Sequence, residues 1–94
     1  MFTRVSTFKC DPDRLEQVAE LVDKLAPVMK RVPGILHSSV SWRDDGSGVI
    51  VAIYESETKA AAAVETIQVV WAEAQVLLTE PPQIATYKNA AITF

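Results

Sequence analysis

Alternating apolar and polar residues open the chain: FTRVSTFKC, residues 2–10, is rich in aromatic and β-branched side chains and predicts a first strand. Asp11-Pro12 follows as a helix-opening pair, because Asp11 suits the cap and Pro12 the first helical position. Leu15, Val18, Val22, Leu25 and Met29 then recur at three-to-four spacing, with Ala19 and Ala26 widening the stripe, which predicts an amphipathic helix. Pro27 lies inside this pattern and predicts a bend rather than an end, since the stripe continues past it. The stop comes at VPGIL, residues 32–36: Pro33 disfavours the helical region for Val32, and Gly34 can take the positive φ that reverses the chain.

Residues 35–43, ILHSSVSWR, return to period two, with Leu36, Val40 and Trp42 on one face and His37, Ser39, Ser41 and Arg43 on the other. The turn-forming DDGSG at 44–48 and the apolar VIVAIYE at 49–55 complete a hairpin of strands two and three. Ser56 caps a second helix marked by Ala60, Val64, Ile67, Trp71, Ala74 and Leu78, expected as one element running to about Leu78 before Pro81-Pro82. Residues 83–94, QIATYKNAAITF, predict a last strand with an apolar tail.

The order strand, helix, strand, strand, helix, strand implies an α+β, ferredoxin-like βαββαβ domain spanning residues 1–94, an antiparallel four-stranded sheet with both helices on one face. Its other face is then bare. Strand three is apolar on both sides, Val49, Val51 and Ile53 on one and Ile50, Ala52 and Tyr54 on the other, so the bare face calls for cover. A second copy supplies it most simply, giving a homodimeric α+β barrel into whose interface the tail Ala90–Phe94 is expected to pack.

Composition strengthens this expectation and excludes others. At 94 residues a lone domain buries only about 60 to 65 % of its unfolded surface, yet 49 % of the residues are hydrophobic. A net charge of −3 with nine scattered basic residues offers no footprint for nucleic acid. No run of about 18 apolar residues suggests a membrane span, and the single Cys10, without an intrachain partner, fits a cytoplasmic protein. Three glycines form no phosphate loop, and one histidine with one cysteine is weak material for a metal site, so neither cofactor nor metal is expected.

A helix ending in VPGIL, a hairpin, then Tyr54-Glu55-Ser56 entering a helix with a tryptophan resembles the antibiotic biosynthesis monooxygenase family across the whole chain. The resemblance implies a dimeric α+β barrel with a pocket between sheet and helices, in a family that includes cofactor-independent oxygenases of aromatic polyketides and quinols as well as haem-degrading enzymes. The haem-degrading members use an asparagine on strand one, a tryptophan on helix two and a histidine about ten residues later. Trp71 matches the tryptophan, but strand one has no asparagine and the region of Pro81 no histidine, so haem degradation by that route is not expected.

Trp71 and His37 are therefore the candidate catalytic residues. Trp71 lies on the apolar stripe of its helix and could offer its indole N–H to a ligand oxygen, the competing role being core packing. His37 is the one side chain that titrates near neutrality unaided, and suits removal of a phenol or quinol proton; otherwise it is a half-exposed polar residue beside a turn. Ser39, Tyr54 and Tyr87 are candidate ligand-binding residues, with ordinary packing or a polar barrel lining as the alternative. Cys10, at a strand-to-helix junction, lacks the adjacent base a reactive thiol needs. The expected function is cofactor-free monooxygenation of a small aromatic or quinol-like molecule, with a non-catalytic ligand-binding or interaction dimer as the alternative. Cavity size separates them, since ligand sites are seldom below about 300 Å³.

Overall fold

Strand β1 (Phe2–Lys9) is the spine of the structure, pairing antiparallel with β3 (Ser47–Tyr54) on one side and with β4 (Gln83–Tyr87) on the other. Strand β2 (Ile35–Trp42) adds to the outer edge of β3, giving the sheet order β2-β3-β1-β4. The computed structural model describes residues 1–94. Helix α1 (Leu15–Lys30), preceded by a 3₁₀ turn over Pro12–Arg14, joins β1 to β2; α2 (Glu57–Ala62), α3 (Val64–Ala74) and a 3₁₀ turn over Gln75–Leu77 join β3 to β4. This is the ferredoxin-like α+β fold that the order of elements implies. Within one chain the sheet is open, not closed into a barrel.

Register sorts the side chains. Phe2 faces Tyr54, Arg4 faces Ala52, Ser6 faces Ile50 and Phe8 faces Gly48, all on the helix-covered side, while Thr3, Val5 and Thr7 oppose Ile53, Val51 and Val49 on the open side. The covered side forms two apolar clusters. Phe2, Val32, Ala52, Tyr54, Ala60 and Ala63 pack at one end of the sheet, and Phe8, Cys10, Val18 and Leu77 at the other.

Local chemistry sets the boundaries. The Asp11 side chain accepts from the Asp13 amide at 2.9 Å, opening the first helical turn, and α1 runs on through Pro27. Gly34 takes φ +81° and its carbonyl accepts the Glu55 amide at 2.8 Å, so VPGIL both ends α1 and clips it to the end of β3. In the β2–β3 hairpin, Asp45 accepts from the backbone N–H and the hydroxyl of Ser47, and Gly46 takes φ +90°. The Gly46 carbonyl in turn accepts the Cys10 amide at 2.8 Å, tying the hairpin to the end of β1.

Two expectations are corrected. The segment from Ser56 to about Leu78 is not one helix but α2, α3 and a 3₁₀ turn. The break falls beside Ala60, whose carbonyl accepts Arg4 Nη2 at 3.1 Å and the Ala63 amide at 3.2 Å, so a side chain has entered the helical ladder. The last strand ends at Tyr87 rather than running to residue 94, because β4 has only β1 as a neighbour and exhausts that pairing at Thr3–Tyr87. Every β4 residue is exposed, and so are most of the residues after it.

Gly46→Ala should cost about 1 to 3 kcal/mol, since its Cβ would lie 2.0 Å from the Cys10 carbonyl oxygen and the positive φ disfavours any side chain. Denaturant unfolding would measure this, and an unchanged midpoint would remove the hairpin clip from the account of stability.

Candidate functional site

Between the two apolar clusters the helices stand away from the sheet and leave a cavity of about 460 Å³. It exceeds the roughly 300 Å³ below which small-molecule sites are uncommon. The walls are mostly apolar, from Leu21, Val22, Leu25 and Met29 of α1, Ile67 and Trp71 of α3, and the covered side of the sheet. The polar exceptions on β1 are Arg4 and Ser6, held on this side by the alternation that also turns Phe2 and Phe8 inward.

Arg4 is anchored rather than free. Its Nη2 donates to the Ala60 carbonyl at 3.1 Å and its Nη1 to the Tyr54 hydroxyl at 3.3 Å, while the guanidinium carbon lies 5.4 Å from the centre of the Tyr54 ring. Tyr54 is sealed from solvent at 0 % exposure. Burial pushes its phenol up from the ordinary value of 10.0, and the neighbouring Arg4 charge and hydrogen bond pull back only part of that rise.

Ser6 is 4 % exposed and joins the same wall. None of the chain's side-chain hydrogen bonds engages its hydroxyl, yet no fully enclosed side-chain nitrogen or oxygen is left unpaired. The hydroxyl oxygen therefore borders open space. Trp71 is half-buried at the Phe8 end, edge-on to the Phe8 ring with centroids 6.4 Å apart and planes at 64°. Cys10 lines the same end, free and buried, and burial pushes its thiol up from 9.0, the opposite of what a reactive thiolate requires.

The structure brings Trp71 and Tyr54 into one cavity, with His37 and Ser39 along its β2 border. His37 pairs with Ile53 and Ser39 with Val51, however, which sets both side chains on the open side of the sheet. A bulge between Ile35 and His37 is the cause: one extra residue, Leu36, shifts the alternation so that Ile35 and Val40 both face inward while His37 does not. Tyr87 does not share the cavity, being 55 % exposed and paired with Thr3 on the open side. Arg4 and Ser6 are the residues that sequence reasoning passed over. Their signal was parity, since they share the even positions of β1 with Phe2 and Phe8. No cluster of three His, Cys, Asp or Glu side chains stands together to hold a metal ion, and no helix is long and apolar enough to cross a membrane.

The sequence of residues 1–75 matches the antibiotic biosynthesis monooxygenase family, and the chain belongs to it. Solved structures agree on the fold. A Nitrosomonas europaea protein bearing that family name is 21 % identical, with 97 % of this chain and 100 % of that one aligned at a TM-score of 0.80. A second Nitrosomonas europaea protein, of unknown function, is 18 % identical over 99 % of this chain and 92 % of its own, also at 0.80. A conserved protein from Methanosarcina mazei Go1 reaches 0.82 at 11 % identity, over 95 % of this chain and 92 % of its own. The comparison with curated proteins found no match.

The buried phenol and thiol generate a pH dependence of known sign. Both hold their protons more tightly folded than unfolded, so their contribution is complete below about pH 9 and is lost as pH rises through the raised folded-state values. The melting temperature should fall through the alkaline range, with a smaller fall in Tyr54→Phe. Thermal scans of both proteins across that range would show it, and an identical pH profile for the two would contradict the assignment to Tyr54.

Proposed function

We propose that the chain is a cofactor-independent monooxygenase acting on a small aromatic or quinol-like molecule held between sheet and helices. The observation that carries this is the apolar cavity of about 460 Å³ with a tryptophan, a tyrosine and a guanidinium in its walls, in a chain of the antibiotic biosynthesis monooxygenase family. Ionisation of a phenol makes the ring electron-rich enough to give electrons to dioxygen. One oxygen atom then enters the ring at a carbon that gives up its single hydrogen, the phenol gives up its own, and the other oxygen leaves as water with both, so the phenol becomes a quinone and no external reductant is required. The walls exclude water and hold the ring in place while this happens, and the Trp71 indole stands beside the ligand space. The proton-accepting role is assigned to His37, which lines the cavity only at its β2 rim because its register sets the side chain toward the open side, so the substrate's acidic proton would lie at that rim. Oxygen uptake with a panel of phenols and quinols tests the proposal. Trp71→Ala should lower uptake at least tenfold and His37→Ala should lower it without disturbing assembly, while unchanged uptake in His37→Ala would take that residue out of the mechanism.

The alternative, a non-catalytic ligand-binding dimer, has one observation in its favour: no Asp or Glu lines the cavity and the only histidine meets it at the β2 rim alone, so no base projects into its interior. Ligand binding without oxygen uptake would decide for it. In either case we propose a homodimer in which the open faces, with Val5, Val49, Val51 and Ile53, cover one another and the tail from Ala90 to Phe94 finds its packing. The free thiol of Cys10 suits the reducing cytoplasm, where we place the protein. Val51→Lys should yield monomers and truncation after Asn89 should weaken the dimer. Native mass spectrometry would read both, and a monomeric wild type would refute the face-to-face assembly.

A further inference from the structure

We infer that Arg4, held in place by Tyr54 and flanked by Ser6, forms a binding site for an anionic oxygen, so that the ligand of this cavity is an aromatic molecule carrying a carboxylate or an ionised phenol. The inference deepens the proposed function by naming the ligand's chemical class. It requires that the cavity admit a ligand but not that oxygen react there.

The charge inventory comes first. The chain is acidic overall, at −3, yet the charged residues lining the cavity are Arg4 and Lys30, both cationic, and no carboxylate is among the lining. The one ion pair of the structure joins Lys24 to Glu73, so Arg4 has no carboxylate partner. A half-buried guanidinium in a mostly apolar wall, without a counter-ion, favours an anion that reaches it, because partial burial weakens the screening by water.

Geometry then sets the shape of the site. A guanidinium carries five N–H donors, and the Ala60 carbonyl and Tyr54 hydroxyl engage two, leaving three. Those two bonds fix the plane of the group, so the remaining donors are presented in a set direction at little further cost in side-chain entropy. Tyr54, sealed at 0 % exposure, acts from behind the guanidinium, its hydroxyl accepting from Arg4 and holding it in place. The Ser6 hydroxyl, next but one along β1 on the same face, makes no side-chain hydrogen bond and borders the open space of the cavity. The spare Arg4 donors and the Ser6 hydroxyl thus belong to one face of β1 in the cavity wall, with a fixed positive charge and no carboxylate to oppose it, which favours an anionic oxygen over a neutral one. The walls beyond it, Ile67, Trp71 and the α1 stripe, suit a flat apolar body.

The test is calorimetric titration of the full chain at neutral pH with 2-naphthoate and with 2-naphthamide, which share a ring system and differ in charge. The expected result is at least a tenfold tighter affinity for 2-naphthoate, a preference lost in Arg4→Gln while amide binding persists. A second arm uses 4-nitrophenol just below its own pKa: growth of its yellow ionised form on adding protein would show that a phenolate is also taken up, and its absence beside a naphthoate preference would identify a carboxylate site. Wild-type selectivity alone is decisive if Arg4→Gln does not fold. Equal affinities with no ionisation of 4-nitrophenol, no binding of any probe, or a preference that survives in folded Arg4→Gln would each overturn the inference. Parallel oxygen uptake keeps the two proposals apart, because selective anion binding without any oxygen consumption preserves this site and removes only the monooxygenase.

Discussion

A cation on the covered side of the central strand is the constraint around which the interior is arranged. Arg4 occupies a position where alternation along β1 calls for a core side chain, and an unsolvated guanidinium there would be costly unless its donors were met. The Ala60 carbonyl meets one, in the last turn of α2 where the helix dipole is negative, and Tyr54 meets another with its hydroxyl while offering its ring face. The second helix breaks where its ladder accepts the side chain. The two apolar clusters consequently close around their own ends of the sheet and not around its middle, and the space between them remains open.

Those parts of the fold that depend on short-range chemistry were legible in the chain. VPGIL stops α1 because Pro33 and Gly34 act on their immediate neighbours, and Asp45-Gly46-Ser47 makes its turn from its own side chains. The break at Ala60 was not legible, because it is imposed by Arg4, 56 residues earlier, on a run of alanines that would otherwise favour a continuous helix. The length of β4 was also hidden, for the pattern of residues 83–94 reports propensity but not how much of a neighbouring strand is left to pair with. At the site, Trp71 and Tyr54 followed from periodicity, whereas His37 appeared to offer chemistry by residue type alone. Arg4 was available from parity, but a charged residue in an edge-like opening strand is ordinarily taken to face solvent.

The low identity of the similar structures, 11 to 21 % at TM-scores near 0.8, fits this division. What the architecture demands is period-two strands, two amphipathic crossovers and turns of the right handedness, and many residues satisfy these. The inner wall is less constrained by architecture, since the cavity is bounded by helices that need only an apolar stripe. A shared fold is thus compatible with different ligands.

The bulge at Leu36 carries a wider implication. One residue there decides on which side of the sheet everything from His37 to Trp42 is displayed, so losing or gaining a single codon at this point would exchange the two sides wholesale, turning the histidine inward and two apolar side chains outward. Strand β2 lies at the sheet's edge and could absorb such a slip without tearing the centre. Insertion and deletion, more than substitution, would then be the quick route by which a fold of this kind acquires or discards an inward-facing base.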